Sequence, residues 1–215
     1  MSKRNLALIG ATIVSVIYGV TFTIAKDVMP LYIDAYGFIL LRAGGSMILF
    51  WLVWLFMPKQ KIIFSDFPRI IAAAFFGVAF NMLTFFKGLS LTSPISAAVI
   101  MVSTPMIVLA LSAIIMKERM KSRMVFGIIL GLIGTGFLIL YGKSVGNATN
   151  AGLGNFLVLV NAISYGFYLI IVKKLMDKYN AFTFVKWIYL FGFIMVLHFG
   201  WSQFEAVDWA LMPTA

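Results

Sequence analysis

Two stretches decide the fold because they say the same thing: IYGVTFTIAKDVM at residues 17–29 and SYGFYLIIVKKLM at residues 164–176. Five of the thirteen positions are identical, namely Tyr18/Tyr165, Gly19/Gly166, Ile24/Ile171, Lys26/Lys173 and Met29/Met176. Most of the others are apolar in both copies. A run of about 20 mostly apolar residues is needed to span a bilayer as a helix, and both copies sit inside such runs. Working outward, the charge-poor runs predict seven helices. Helix 1 is Leu6–Ala25, helix 2 Ala35–Met57, helix 3 Ile70–Leu89 and helix 4 Pro94–Met116. Helix 5 is Met124–Tyr141, helix 6 Gly152–Val172 and helix 7 Phe184–Trp201. No series of alternating ten-residue strands is present, which argues against a transmembrane barrel.

Composition agrees. Of 215 residues, 62% are hydrophobic and 11% charged, and the mean hydropathy is +1.03. Soluble domains carry about 25% charged residues, so this surface is made for lipid. There is no cysteine and one histidine, His198, which leaves no disulfide, no thiol chemistry and no multi-histidine metal site. The net charge is +10. Its location, rather than its sum, is informative, and no nucleic-acid partner is read from it. The amino-terminal run stays apolar for about 20 residues, longer than the apolar core of a signal peptide, without an A-x-A-like site, so it reads as a first span.

Lys and Arg in short loops set orientation. With the amino terminus in the cytoplasm, thirteen of seventeen basic residues fall inside, and only Lys26, Arg42, Lys87 and Lys143 do not. The repeated stretches fall in helices 1 and 6, five helices on, an odd offset, so the two copies cross the membrane in opposite directions. Their loops change sign to match. Residues 26–34 carry −1 and residues 173–180 carry +2, while residues 58–69 carry +2 and residues 202–213 carry −2. This is the pattern of an inverted-topology repeat. It predicts a first five-helix unit over 1–142, an outer linker over 143–151, and the start of a second, inverted unit over 152–215. The Asn147–Ala148–Thr149 sequon lies in that linker.

The chain resembles the EamA-type drug/metabolite transporter superfamily. The residues that carry the likeness are Tyr18–Gly19 with Lys26, the arginine of FILLRAGG (38–45), and GLSLTSPISAAVIMVSTPMIVLALSAIIMKERM (88–120) with Pro94, Pro105 and Glu118. The resemblance implies an all-α integral membrane protein of ten helices in two inverted five-helix repeats. About seven of those helices are present here, so the expectation is a chain that stops within its second repeat. It also implies export or exchange of small metabolites, such as amino acids, nucleotide sugars or phosphorylated sugars.

Several polar residues fall inside the spans. Arg42 is about eight residues into helix 2, on the order of 10 Å deep at 1.5 Å per residue. A charge there needs a partner or water. It reads either as an anion contact or as a snorkelling, packing side chain. Lys87, near the end of helix 3, has the same two readings. Asn81 and Asn161 are mid-membrane amides, either interhelical glue or substrate contacts. Tyr18 and Tyr165 are repeat mates placed to wall a cavity or to pack, with Thr21 one turn on from Tyr18. Pro105 interrupts helix 4 and frees a carbonyl, next to Ser103 and Thr104, so it reads as a hinge lining a pathway or as a structural kink. The candidate substrate-binding set is therefore Tyr18, Thr21, Arg42, Asn81, Lys87, Ser103, Asn161 and Tyr165, with Pro105 as hinge. Asn155 and Tyr168 have weaker claims.

Gly127 and Gly131 form a GxxxG face for packing inside the bundle or for a homodimer. Trp51, Trp54, Trp187, Trp201 and Trp209 read as belt or packing residues. No catalytic residue or cofactor is expected, and no GxxxxGK[ST] motif marks an ATP-driven pump. All seven carboxylates fall in loops or at helix ends, so no proton relay is visible. The expected function is secondary transport of a small anionic or zwitterionic metabolite across the inner (plasma) membrane. The second reading is a non-transporting membrane sensor or assembly subunit.

Overall fold

The computed structural model describes residues 3–117, 121–141 and 148–211. Glu118, Lys143 and Asn147, singled out above, lie outside them. The described residues form helices joined by short loops: α1 (Lys3–Val28), α2 (Ala35–Leu55), α3 (Phe67–Ala74), α4 (Phe80–Leu91), α5 (Pro94–Val102), α6 (Thr104–Met116), α7 (Ser122–Tyr141), α8 (Ala151–Met176) and α9 (Ala181–Glu205). Six stretches are long and apolar enough to cross a membrane, and Ser122–Phe137 is a shorter apolar one. Large side chains such as Val14, Ile17, Ile48, Leu52, Phe126 and Ile194 are exposed. Apolar faces of this extent are unstable in water. The chain is a multi-pass helical membrane protein.

Two predicted helices are not single α-helices. Helix 3 runs continuously from Phe64 to Leu91. Within it Phe75–Ala79 is π-helical, and the Phe80 amide bonds the Phe75 carbonyl five residues back. Ser164 Oγ, from α8, donates to the Phe76 carbonyl at 2.7 Å, so a carbonyl of the widened turn is satisfied across the interface. Helix 4 is broken at Ser103 into α5 and α6. Pro105 has no amide proton to continue the ladder. The Ser103 carbonyl instead accepts from Met106 and Ile107, both at 3.1 Å. The start of α5 is set locally: Ser93 accepts from the Ser96 amide at 3.1 Å, with Pro94 at the first helical position.

Helices 6 and 7 run beyond their charge-free cores. Lys173 and Lys174 belong to the last turn of α8, and Lys186 lies inside α9. Lysine stems are apolar enough to be carried into a span, so ending helix 6 at its first lysine cuts it short, while helix 7, predicted with Lys186 inside it, extends further at both ends, to Ala181 and Glu205.

The largest interface is α2 on α9, the second helices of the two proposed units, packed antiparallel. Asp34 precedes α2 but makes no side-chain cap. Gln203 of α9 supplies it, its Oε1 accepting from the amides of Tyr36 at 2.8 Å and Gly37 at 3.1 Å. Next is α4 on α8. They cross at Gly88 and Gly154, where a Cβ on either would come within 2.8 Å of the other's carbonyl oxygen. Thr92 Oγ1 donates to the buried Asn155 Oδ1 at 2.6 Å beside that crossing. At the opposite, basic end, the α2–α3 and α8–α9 connections are latched. The buried Asp66 carboxylate accepts from Tyr179 at 2.8 Å and from Lys178 at 3.1 Å. The Tyr179 hydroxyl in turn accepts from the Ile63 amide at 3.1 Å.

α1 and α7 lie on the periphery, with small interfaces. Lys26 ties the end of α1 to the end of α4, donating to the carbonyls of Leu89 at 3.1 Å and Ser90 at 2.7 Å. These carbonyls have no helical partner because α4 stops at Leu91, and a cation there also suits the helix dipole.

Candidate functional site: a polar cleft between α1, α6 and α8

Asn81 and Asn161 meet where α4 crosses α8. Asn161 Nδ2 donates to the Asn81 carbonyl at 2.9 Å, and Asn81 Nδ2 reaches the Asn161 carbonyl at 3.4 Å. That pairing fixes the orientation of the Asn161 amide and leaves its Oδ1 buried without a hydrogen-bond partner. Asn161 is 2% exposed, so this acceptor has lost water and gained nothing within the protein. Such a group costs free energy until a donor reaches it.

Both asparagines line a cleft of about 940 Å³, together with Ser15, Tyr18, Thr104, Pro105, Ser112 and Tyr165. A smaller cavity of about 70 Å³ shares Tyr18, Asn81 and Asn161 and adds Thr21, Arg42 and Phe86. The polar surface therefore extends from the cleft, past Tyr18, to the Arg42 guanidinium. Arg42 lies 5.6 Å from the centroid of the Phe86 ring. It makes no ion pair among the described residues. It also borders a gap between α1 and α2. Tyr18 stacks edge-on against Phe22, which does the same to Phe85, with centroids 5.1 and 5.2 Å apart.

Of the candidates from sequence, Tyr18, Thr21, Arg42, Asn81, Asn161 and Tyr165 thus line these two connected cavities, and Pro105 is on the cleft wall. Two are elsewhere. Ser103 is buried on the side facing α7, where its hydroxyl and that of Thr135 are 2.6 Å apart. Lys87 borders a separate cavity of about 700 Å³ at the far end of the bundle, with Lys26, Asp27, Asp34 and Gln203. Its ammonium lies 5.8 Å from the Tyr36 ring centroid.

Thr104 and Ser112 were not in the sequence-derived set. Their signal was available: Thr104, Val108 and Ser112 repeat every four residues and so share one face of α6. Asn155 is buried in its bond to Thr92 and lies outside the cleft. Gly131 packs on Met106, while Gly127 faces open space. The carboxylates of the described residues are all at the ends of the bundle, and no cluster suited to a metal ion occurs among those residues.

Comparison with known proteins places this arrangement. The model of the EamA-like transporter family matches residues 5–140. An uncharacterized transporter, YetK, of Bacillus subtilis is 24% identical over 70% of this chain and 46% of its own length. An uncharacterized transporter of Archaeoglobus fulgidus is 31% identical over 58% of this chain and 43% of its own. Another from Bacillus subtilis, YyaM, is 26% identical over 74% of this chain and 53% of its own. The chain thus matches about half the length of these relatives. No solved structure matches it. With its family model covering well over half of the sequence, the chain belongs to the EamA-like transporter family.

Proposed function

We propose that this protein is a secondary transporter that exports or exchanges small polar metabolites, anionic or zwitterionic compounds such as amino acids, by alternating access. The amino terminus is cytoplasmic and the membrane is the inner (plasma) membrane. The two proposed units rock about the antiparallel α2–α9 pair, and the substrate binds between them. The observation that carries the reading is a cleft lined by Asn81, Asn161 and Tyr165, with the buried Asn161 Oδ1 left unpaired beside it and, past Tyr18, an Arg42 that has no ion pair among the described residues. An acceptor for an ammonium or hydroxyl and a cation for a carboxylate are the complement of such a solute. The broken helix at Ser103–Pro105 forms one wall, as irregular backbone in lipid is tolerated where it borders a cavity.

The test is counterflow in proteoliposomes with a panel of labelled amino acids and monocarboxylates. Saturable exchange of at least one compound is expected. Asn161→Leu should raise its half-saturating concentration about tenfold, about 1.4 kcal/mol. Its stability should fall by only about 0.6 kcal/mol, the average for an interhelical hydrogen bond in lipid. No saturable flux for any compound, or flux indifferent to Asn161→Leu, would count against the proposal.

A further inference from the structure

Away from the cleft, at the basic end of the α2–α9 interface, a cation is buried without an anion. Lys186 is 4% exposed. Its ammonium lies 2.9 Å from the centroid of the Trp54 ring, 4.4 Å from that of Trp51 and 5.5 Å from that of Trp187. It makes no ion pair among the described residues. Asp66, the buried carboxylate of this end, is engaged by Lys178, Tyr179 and Arg69. A second cation, Lys59, stands 5.9 Å from the same Trp54 ring.

The tryptophans add an independent observation. The indole Nε1 atoms of Trp51 and Trp54 are both buried and both without a hydrogen-bond partner. The cluster thus holds two lysine ammoniums without an ion pair among the described residues and two unpaired N–H donors. An aromatic face offsets only part of the cost of burying an ammonium. Two orphan donors beside it are an exception to the rule that buried polar groups are paired.

The geometry points to a phosphate site: we propose that Lys186, Trp51 and Trp54, with Lys59 at the rim, bind a phosphate group between α2 and α9. A phosphate offers several acceptor oxygens to ammonium and indole N–H donors, with charge-assisted bonds to the lysines. The position suits this chemistry, because Trp54 is in the last turn of α2 and Lys186 is five residues into α9. Interfacial tryptophans and basic side chains meet lipid headgroups at such depths. The phosphate is that of an anionic lipid or is free in solution, and one experiment separates the two. The site does not depend on the transport reading.

The purified chain in phosphatidylcholine nanodiscs is exposed to phosphatidylglycerol and, separately, to inorganic phosphate. Retained lipid is counted by native mass spectrometry and the response of indole emission is recorded. We expect phosphatidylglycerol to be retained, and Lys186→Gln to weaken it about tenfold. Trp54→Phe keeps an aromatic face over the ammonium and removes one donor. It is expected to weaken binding severalfold, which a purely structural cation–ring contact would not produce. An emission change with inorganic phosphate alone, lost in the same variants, would assign the site to free phosphate. Binding of neither probe, or equal binding by wild type and Trp54→Phe, would overturn the proposal. Should Lys186→Gln fail to fold, Trp54→Phe decides the matter alone.

Discussion

At the scale of single residues, the charged and amide side chains inside the spans divide by what their partners are. Lys26 is consumed by the α4 carbonyls and Asn155 by Thr92. Arg42 and the buried Asn161 oxygen have no comparable partner among the described residues, and both residues are among those lining the adjoining cavities. Arg42 is also open toward the gap beside α1, so its removal leaves little packing to lose. Arg42→Ala is therefore expected to insert and melt like the wild type while binding an anionic or zwitterionic solute about tenfold more weakly. Equilibrium binding on the detergent-purified variant, with a thermal melt as control, checks this. Unchanged affinity in a well-inserted variant would remove Arg42 from the site. The presence of Arg42 and Asn161 in apolar runs was legible in sequence. Which of the two readings applied to each was not, because that depends on whether another helix brings a partner.

At the scale of elements, the informative departures are one widened turn and one break. The π-helical segment Phe75–Ala79 inserts an extra residue just before Asn81. One residue turns a helix face by about 100° at 3.6 residues per turn, so the insertion helps decide which neighbour Asn81 meets. Hydrophobic periodicity gives no sign of it, since nearly every residue of FFGVAF is apolar. The break at Ser103 was readable, because proline removes a donor wherever it stands. Which way each side of the break faces was not: Thr104 borders the cleft, while Ser103 is pinned to Thr135. Pro105→Ala restores the amide that could reach Met101 and so favours a continuous helix. We expect flux to fall about tenfold with little change in thermal stability, since Pro105 stands in the first turn of α6, where its missing amide costs little. A wild-type rate in proteoliposomes would make the break merely structural.

At the scale of the molecule, the bundle is held at both ends by connections remote in sequence. Gln203 caps α2 at one end. Asp66 gathers Tyr179, Lys178 and Arg69 at the other. Lys178 and Arg69 keep contact with solvent, so what the substitution removes is the charge-assisted acceptor that joins them and Tyr179 across the two connections. Asp66→Asn should therefore lower the melting midpoint in detergent. Asp177→Asn, changing a carboxylate in the neighbouring loop that is outside this cluster, should leave it within error. Equal midpoints for the two variants would show that the latch contributes nothing. Substrate affinity should be unaffected by either, because the cleft lies among α1, α6 and α8.

The division between sequence and tertiary structure follows from range. Sequence alone determined the solvent, the approximate limits of the apolar helices, and the proline break. Each of these is local: hydropathy over about 20 residues, or a missing backbone donor. The inverted repeat was also proposed from sequence, because duplication leaves identities and loop charges leave a sign. Only the tertiary structure decided which polar groups are satisfied. Asn155 and Asn161 are the same residue type on the same helix, six positions apart. One meets a threonine hydroxyl and is spent, and the other keeps a buried, unpaired oxygen. Lys186 counts in sequence only as one more basic residue of the inner side, and in space it is caged by indole rings without an ion pair among the described residues. A hydrogen bond or ion pair depends on ångström distances between helices far apart in the chain, and no pattern within one helix encodes them.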